Sequence, residues 1–107
     1  MKKRDIVKKK IEFNDIIKTG KSVKSKEFIV YYKENNLKYD RFGITVGTKL
    51  GNAVFRNKYK RKIRSIVDEY MKIEKESNDY IILLRKEGSN ATYSELKTSF
   101  LKLMTKI

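Results

Sequence analysis

Residues 80–84 read Tyr-Ile-Ile-Leu-Leu, five apolar side chains in a row with no polar position among them. Successive side chains of a strand point to opposite faces, so this run is satisfied as a strand covered on both sides. In a chain of 107 residues, that requirement calls for one small sheet with a covering layer on each face. Two further strands are available. Phe28–Tyr32 (FIVYY) is aromatic and β-branched, and Arg41–Val46 alternates, with Phe42, Ile44 and Val46 on one face and Gly43 and Thr45 on the other. Apolar spacing predicts three helices. The first covers residues 6–19, with Phe13 and Ile17 four apart, Ile16 beside them and Gly20 as its stop. The second runs from Asn52, an N-cap, to about Met71. The third opens on a capping box, Thr92-x-x-Glu95, and carries Leu96, Phe100, Leu103, Met104 and Ile107 on its core face. Residues 33–40 and 47–51 are left as connections. The expected fold is α+β, a single domain over residues 1–107 with helices sandwiching a small sheet.

Composition removes whole classes of chemistry. The chain has no cysteine, histidine or proline, so disulfides, zinc sites, thiol nucleophiles and imidazole acid–base catalysis are excluded together. The longest apolar runs are far too short to span a bilayer, and no apolar signal core follows the basic N-terminus. The expected location is cytoplasmic. Net charge is +14, and it is unevenly spread: residues 41–67 carry eight basic side chains and no acidic one, whereas residues 68–107 balance seven against seven. The chain uses 21 Lys against 6 Arg, yet Arg41, Arg56, Arg61 and Arg64 all fall between positions 41 and 64. Lysine already supplies solubility; arginine adds a planar fork that grips phosphate bidentately. Its placement points to phosphate contacts in this segment.

The second helix sorts that charge. With Arg56 at zero on a wheel of about 100° per residue, Asn57, Lys60, Arg61 and Arg64 fall within roughly 140° on one side. Phe55, Tyr59, Ile63, Ile66 and Tyr70 fall on a separate arc, and Lys58 and Lys62 flank it. A solvated helix face normally mixes signs, because like charges four apart repel by roughly a few tenths of a kcal/mol. Here Arg56, Lys60 and Arg64 stack four apart with no carboxylate before Asp68, which favours an external polyanion over a solvated face. A membrane-surface or calmodulin-target helix would need its apolar face free, and the sheet claims that face.

The run RFGITVGTKLGNAVFRNKYKRKIR, from Arg41 to Arg64, resembles the signature of the bacterial ribonuclease P protein subunit family. The core of that signature falls on Arg56, Asn57, Lys60, Arg61 and Arg64. The N-terminal VKKKIEFNDIIKTGKSV, the FIVYY and DYIILLR strands and the closing Tyr-x-Glu helix follow in the family's order, so the likeness covers nearly the whole chain. It implies an α-β-β-β-α-β-α fold with a left-handed βαβ crossover, against a general rule under which about 98% are right-handed. It further implies a ribonucleoprotein that removes the 5′ leader from precursor tRNA, with Mg²⁺-dependent catalysis carried by the RNA subunit and none by the protein. No membrane and no obligate protein partner are implied. The RNA subunit would be bound through Arg56, Asn57, Lys60, Arg61, Arg64 and Lys49. The single-stranded leader would lie in a cleft formed by Phe13, Ile17, Ile29 and Tyr31. Three positions depart from the pattern: Thr48 where a basic residue is common, Lys58 in place of Arg, and Ile17 in place of a second cleft aromatic.

The residues alone leave more room. Aromatics at the spacing of Phe13 and Tyr31 are more often core than base platforms, and Lys21, Lys24 and Lys26 could track phosphate or simply be solvated. Asp68–Glu69 and Glu74–Glu76 read as solubility or ion-pair carboxylates, since adjacent helix positions diverge. Gly20-Lys21-Ser22 lacks the first glycine of a phosphate-binding loop, because Asp15 stands there. No metal ligand stands out beyond Asn57 as a candidate. The competing reading is a basic RNA-binding protein without enzymatic function, of ribosomal or RNA-chaperone type.

Overall fold

The computed structural model describes residues 3–71 and 77–107, which form α1 (Lys10–Thr19), β1 (Lys21–Lys24), β2 (Phe28–Glu34), β3 (Arg41–Val46), α2 (Ala53–Met71), β4 (Asn78–Leu84) and α3 (Tyr93–Met104). The strands make one sheet in the order β1-β2-β4-β3. β4 lies inside it, antiparallel to β2 and parallel to β3, with α2 as the crossover. This is the α-β-β-β-α-β-α order, with the apolar 80–84 run buried as expected.

Strand parity divides the molecule. Phe28, Val30, Phe42, Val46, Tyr80, Ile82 and Leu84 point to one face, where α2 contributes Tyr59, Ile63, Ile66 and Val67 and α3 contributes Leu96, Phe100, Leu103 and Met104. Phe42 stacks on Tyr80 at 4.8 Å, and Phe100 meets Phe28 and Tyr70 edge-on. Each such side chain contributes roughly 1.5–3 kcal/mol when fully removed from water, which makes this face the stabilising core. The opposite face carries Ile29, Tyr31, Ile81, Leu83, Gly43 and Thr45, paired across β2, β4 and β3 in register. Here α1 covers only one end, and a smaller cluster of Val7, Ile16 and Ile81 forms with Phe13 and Tyr31 against it.

Several expectations need correction. α1 begins at Lys10, not at residue 6: Ile6 bridges to Phe42, Val7 N–H donates to the Phe42 carbonyl at 3.0 Å, and Val7 is buried, so these residues extend the sheet. The residue pattern names no strand between α1 and β2, and β1 supplies the third strand that the α-β-β-β-α-β-α order requires before α2. Ile107 is 38% exposed and lies past the end of α3, so it does not join that helix's core face. The loop 47–51 contains a short 3₁₀ turn at Thr48–Leu50. Both caps form as read: Asn52 Oδ1 accepts from Phe55 N–H at 2.9 Å, and Thr92 and Glu95 exchange both bonds of the capping box. The Glu74–Glu76 pair lies outside the described residues.

Candidate nucleic-acid interfaces

The α2 surface is built by its opening and its core stripe. Gly51 passes so close beneath Phe55 that a Cβ there would sit 2.6 Å from the ring, and Asn52 then caps the first turn. Phe55 packs on Tyr59 at 4.6 Å, and Tyr59, Ile63, Ile66 and Val67 anchor the buried side. This anchoring turns Asn57, Arg61 and Arg64 outward as exposed side chains, with Arg56 and Lys60 half-buried beside them. Arg56 Nε is buried and has no hydrogen-bond partner among the described residues. Lys62 lies over the Tyr59 ring at 4.7 Å, which separates it from the basic face as its place on the wheel suggested. Lys49 is exposed in the turn that packs against α2.

Arg41 does not belong to this group. Its Nε donates to Asp79 Oδ1 at 2.8 Å, and its Nη2 reaches Asp79 Oδ2 at 2.6 Å and Glu12 Oε2 at 2.9 Å. The hydrogen bond to Asp79 holds the guanidinium further above its already high value, burial works against this, and Glu12 adds to the rise. Asn35 Nδ2 donates to the same Asp79 oxygen at 2.9 Å and to the Tyr39 carbonyl, while Asn35 Oδ1 accepts from Leu37 N–H and Asn36 takes a positive φ of 59°. An Asn-Asn pair suits this left-handed turn. Arg41 is therefore a tie between α1, β3 and β4, and the arginine cluster of 41–64 is structural at its first member. Sequence spacing could not reveal this, since Glu12 and Asp79 are remote in the chain.

On the open sheet face, the four cleft residues separate. Phe13 and Tyr31 come together in the cluster under α1. Gly43 makes room for this: a Cβ there would lie 2.5 Å from Phe13 Cζ and 2.9 Å from Ile81 Cδ1. Ile17 is 37% exposed and stands outside that cluster. Ile29 lies further along β2 and lines a concavity of about 540 Å³ with Thr45, Leu83, Lys49 and Arg85. Gly43, Thr45 and Leu83 were missed as parts of this surface. The small residues at 43 and 45 were the signal, since they leave the sheet face low where α1 ends. Lys49, grouped with the basic helix, also borders this concavity.

Among the described residues no group of three or more acidic side chains could hold a metal ion, and no helix is long and apolar enough to cross a membrane. Asn57 has Ala53 and Val54 a turn before it and Lys60 and Arg61 a turn after, and offers one amide oxygen, so these described residues do not fit a resident divalent ion.

The family profile described as Ribonuclease P matches residues 1–107. The chain belongs to the ribonuclease P protein family. A relative from Mycoplasma mycoides, the "Ribonuclease P protein component", is 44% identical over 108 residues, covering 100% of this chain and 99% of the relative. Among solved structures, the Staphylococcus aureus RNase P protein superposes with a TM-score of 0.88 at 34% identity, covering 95% of this chain and 94% of that one. The Thermotoga maritima RNase P protein gives 0.89 at 30% identity over 97% and 98%. The family's α+β fold is thus the fold described above.

Proposed function

We propose that α2 binds the catalytic RNA through Arg56, Asn57, Lys60, Arg61 and Arg64, with Lys49 beside them, and that the open sheet face receives the precursor's 5′ leader at Phe13, Tyr31 and Ile29. Family membership makes the chain a protein component of ribonuclease P, the endonuclease that matures tRNA 5′ ends by RNA catalysis. The observation that carries the residue-level reading is the basic face of α2 from Arg56 to Arg64, which has no carboxylate along that run and is turned outward by a buried aromatic and aliphatic stripe. Its cations neutralise phosphates that would otherwise repel ribozyme and substrate. Phe13 and Tyr31 offer ring surface to unpaired bases, and Ile29 offers apolar contact, so the protein adds affinity for leader-bearing substrate. Ile17, aliphatic and apart from the pair, contributes less than an aromatic would.

Hydrolysis of the phosphodiester, leaving a 5′-phosphate on the tRNA, belongs to the RNA. Mg²⁺ is assigned to the RNA as well, which family membership supports. The working location is cytoplasmic, and residues 1–107 act as one RNA-binding domain.

Reconstitution tests the whole. The pure protein, mixed with a bacterial ribonuclease P RNA and precursor tRNA at low Mg²⁺, is expected to stimulate 5′ cleavage; absence of stimulation would sink the reading. Arg61→Ala is expected to weaken RNA-subunit binding and flatten its logarithmic salt dependence by about one unit. An unchanged slope would show that this side chain is solvated. Tyr31→Ala is expected to weaken binding of leader-bearing precursor and spare mature tRNA, and equal losses on both would overturn the cleft.

A further inference from the structure

On the sheet edge away from α2, the turn between β1 and β2 faces α3 across a concavity of about 550 Å³. Four lysines line it, Lys24, Lys26, Lys102 and Lys106, all exposed and none in a salt bridge among the described residues. Two carboxylates share the site. Glu95 accepts from the Thr92 N–H in the capping box and has the charge of Lys26 beside it, and Glu27 is the other.

The floor is fixed by a pair of hydroxyls. Ser25 Oγ accepts from the N–H groups of Phe28 at 3.1 Å and Glu27 at 3.3 Å. It also shares a hydrogen bond of 2.7 Å with Ser99 Oγ on α3. Arg85 Nη1 donates to the Ser25 carbonyl at 2.7 Å and so pins the turn to the end of β4. Four exposed lysines around a turn pinned in this way, with two carboxylates among them, leave an excess of positive charge suited to a phosphate-bearing strand.

Position suggests which strand. Lys24 pairs directly with Ile29 in the β1–β2 ladder and so shares its sheet face, yet it also lines the lysine concavity. It therefore joins the open sheet face to this site around the β1 edge. We infer that the lysine cup between the β1–β2 turn and α3 is a second phosphodiester-backbone site, which takes the part of the leader upstream of the nucleotides on the cleft. This inference rests on the cleft reading above.

The experiment uses reconstituted holoenzyme and a ladder of precursor tRNAs whose leaders lengthen one nucleotide at a time. With the unaltered protein, affinity is expected to rise again once the leader outgrows the cleft. In a Lys26→Gln/Lys102→Gln variant that second rise is expected to fall by about fivefold per lost contact at 0.1 M salt, with the salt slope flatter by about 0.7 each, while short-leader and mature substrates bind as before. Both lysines are exposed, so the variant is expected to melt normally. Equal weakening on every substrate would assign the lysines to another part of the RNA and overturn the inference, as would no effect at all. Tyr31→Ala runs alongside as the control. If it discriminates leader from mature tRNA and the lysine variant shows no length dependence, the cup falls and the cleft stands; if it does not discriminate, the cleft itself falls.

Discussion

Replacing Gly43 by alanine adds one methyl group at the point where α1 rests on the sheet. The new Cβ would sit 2.5 Å and 2.7 Å from Phe13 Cζ and Cε2, and 2.9 Å from Ile81 Cδ1. Ordinary carbon contacts lie near 3.5–4.0 Å, so something must retreat by about 1 Å. Ile81 is fully buried between α1 and the sheet and has nowhere to go, whereas Phe13 is only half-buried and can swing outward. Overpacking of this kind costs roughly 1–3 kcal/mol, and removing a strand glycine returns roughly 0.5–1 kcal/mol of backbone entropy. The net is about 1 kcal/mol, a drop of about 4–8 °C in Tm for a domain of this size. Leader binding is expected to suffer more. A base stacked on Phe13 contributes roughly 1–3 kcal/mol, so displacing the ring weakens precursor binding by about 5- to 150-fold. The assay measures Kd of the Gly43→Ala holoenzyme for precursor and for mature tRNA, with thermal melting of the free protein. A lowered Tm with unchanged preference for precursor would show that the ring moved without consequence, and would refute placing the leader on Phe13.

The Arg41 tie makes the opposite kind of prediction. Arg41→Ala leaves the buried Asp79 carboxylate, among the described residues, with Asn35 as its remaining side-chain donor, at a cost of about 3 kcal/mol read by urea titration. The folded fraction is expected to bind the RNA subunit with an unaltered salt slope; a slope flattened as in Arg61→Ala would return Arg41 to the phosphate contacts. Thr92→Ala removes the cap of α3 and is expected to cost about 1 kcal/mol in the same titration. It also weakens a titration, because alanine keeps the backbone N–H and loses only the side chain. Glu95 is held below the usual carboxylate range, first by the Thr92 N–H and then by the Thr92 side chain. A depressed folded-state value contributes stability present above the unfolded-state value and lost as pH falls through the folded one. The unaltered protein should therefore lose that increment below the usual carboxylate range, and Thr92→Ala should lose less there.

What could be read in the sequence was what local chemistry decides. The N-cap at Asn52, the capping box at Thr92 and Glu95, and the parity of Arg41–Val46 depend on neighbours within a few residues, and all three formed as expected. The wheel of α2 separated Lys62 from Arg61 for the same reason. What could not be read depends on distant partners. β1 has one apolar residue, Val23, and exists because β2 offers it an edge. Ile6 and Val7 fit a helical spacing but are drawn to Phe42. Arg41 matched the phosphate-binding arginines in type and position, and only Asp79 and Glu12 reveal its other use. In the candidate cleft, Phe13 and Tyr31 could be named from the family's likeness, and Gly43 was visible as a small residue in a strand, but that it seats the Phe13 ring depends on α1, thirty residues away.

The sheet's alternation has a consequence for how this protein can vary. Phe42 and Val46 bury toward α2, while Gly43 and Thr45, their immediate neighbours, shape the opposite surface. Two tasks are thus interleaved residue by residue along the same strands. A substitution at one parity can adjust the α1 side and leave the α2 side untouched. A one-residue insertion or deletion inside β3 or β4 would exchange the two sets at once, sending core side chains into the open face and small ones into the core. Changes in length are therefore confined to the connections, and the strands can change only by replacement in place.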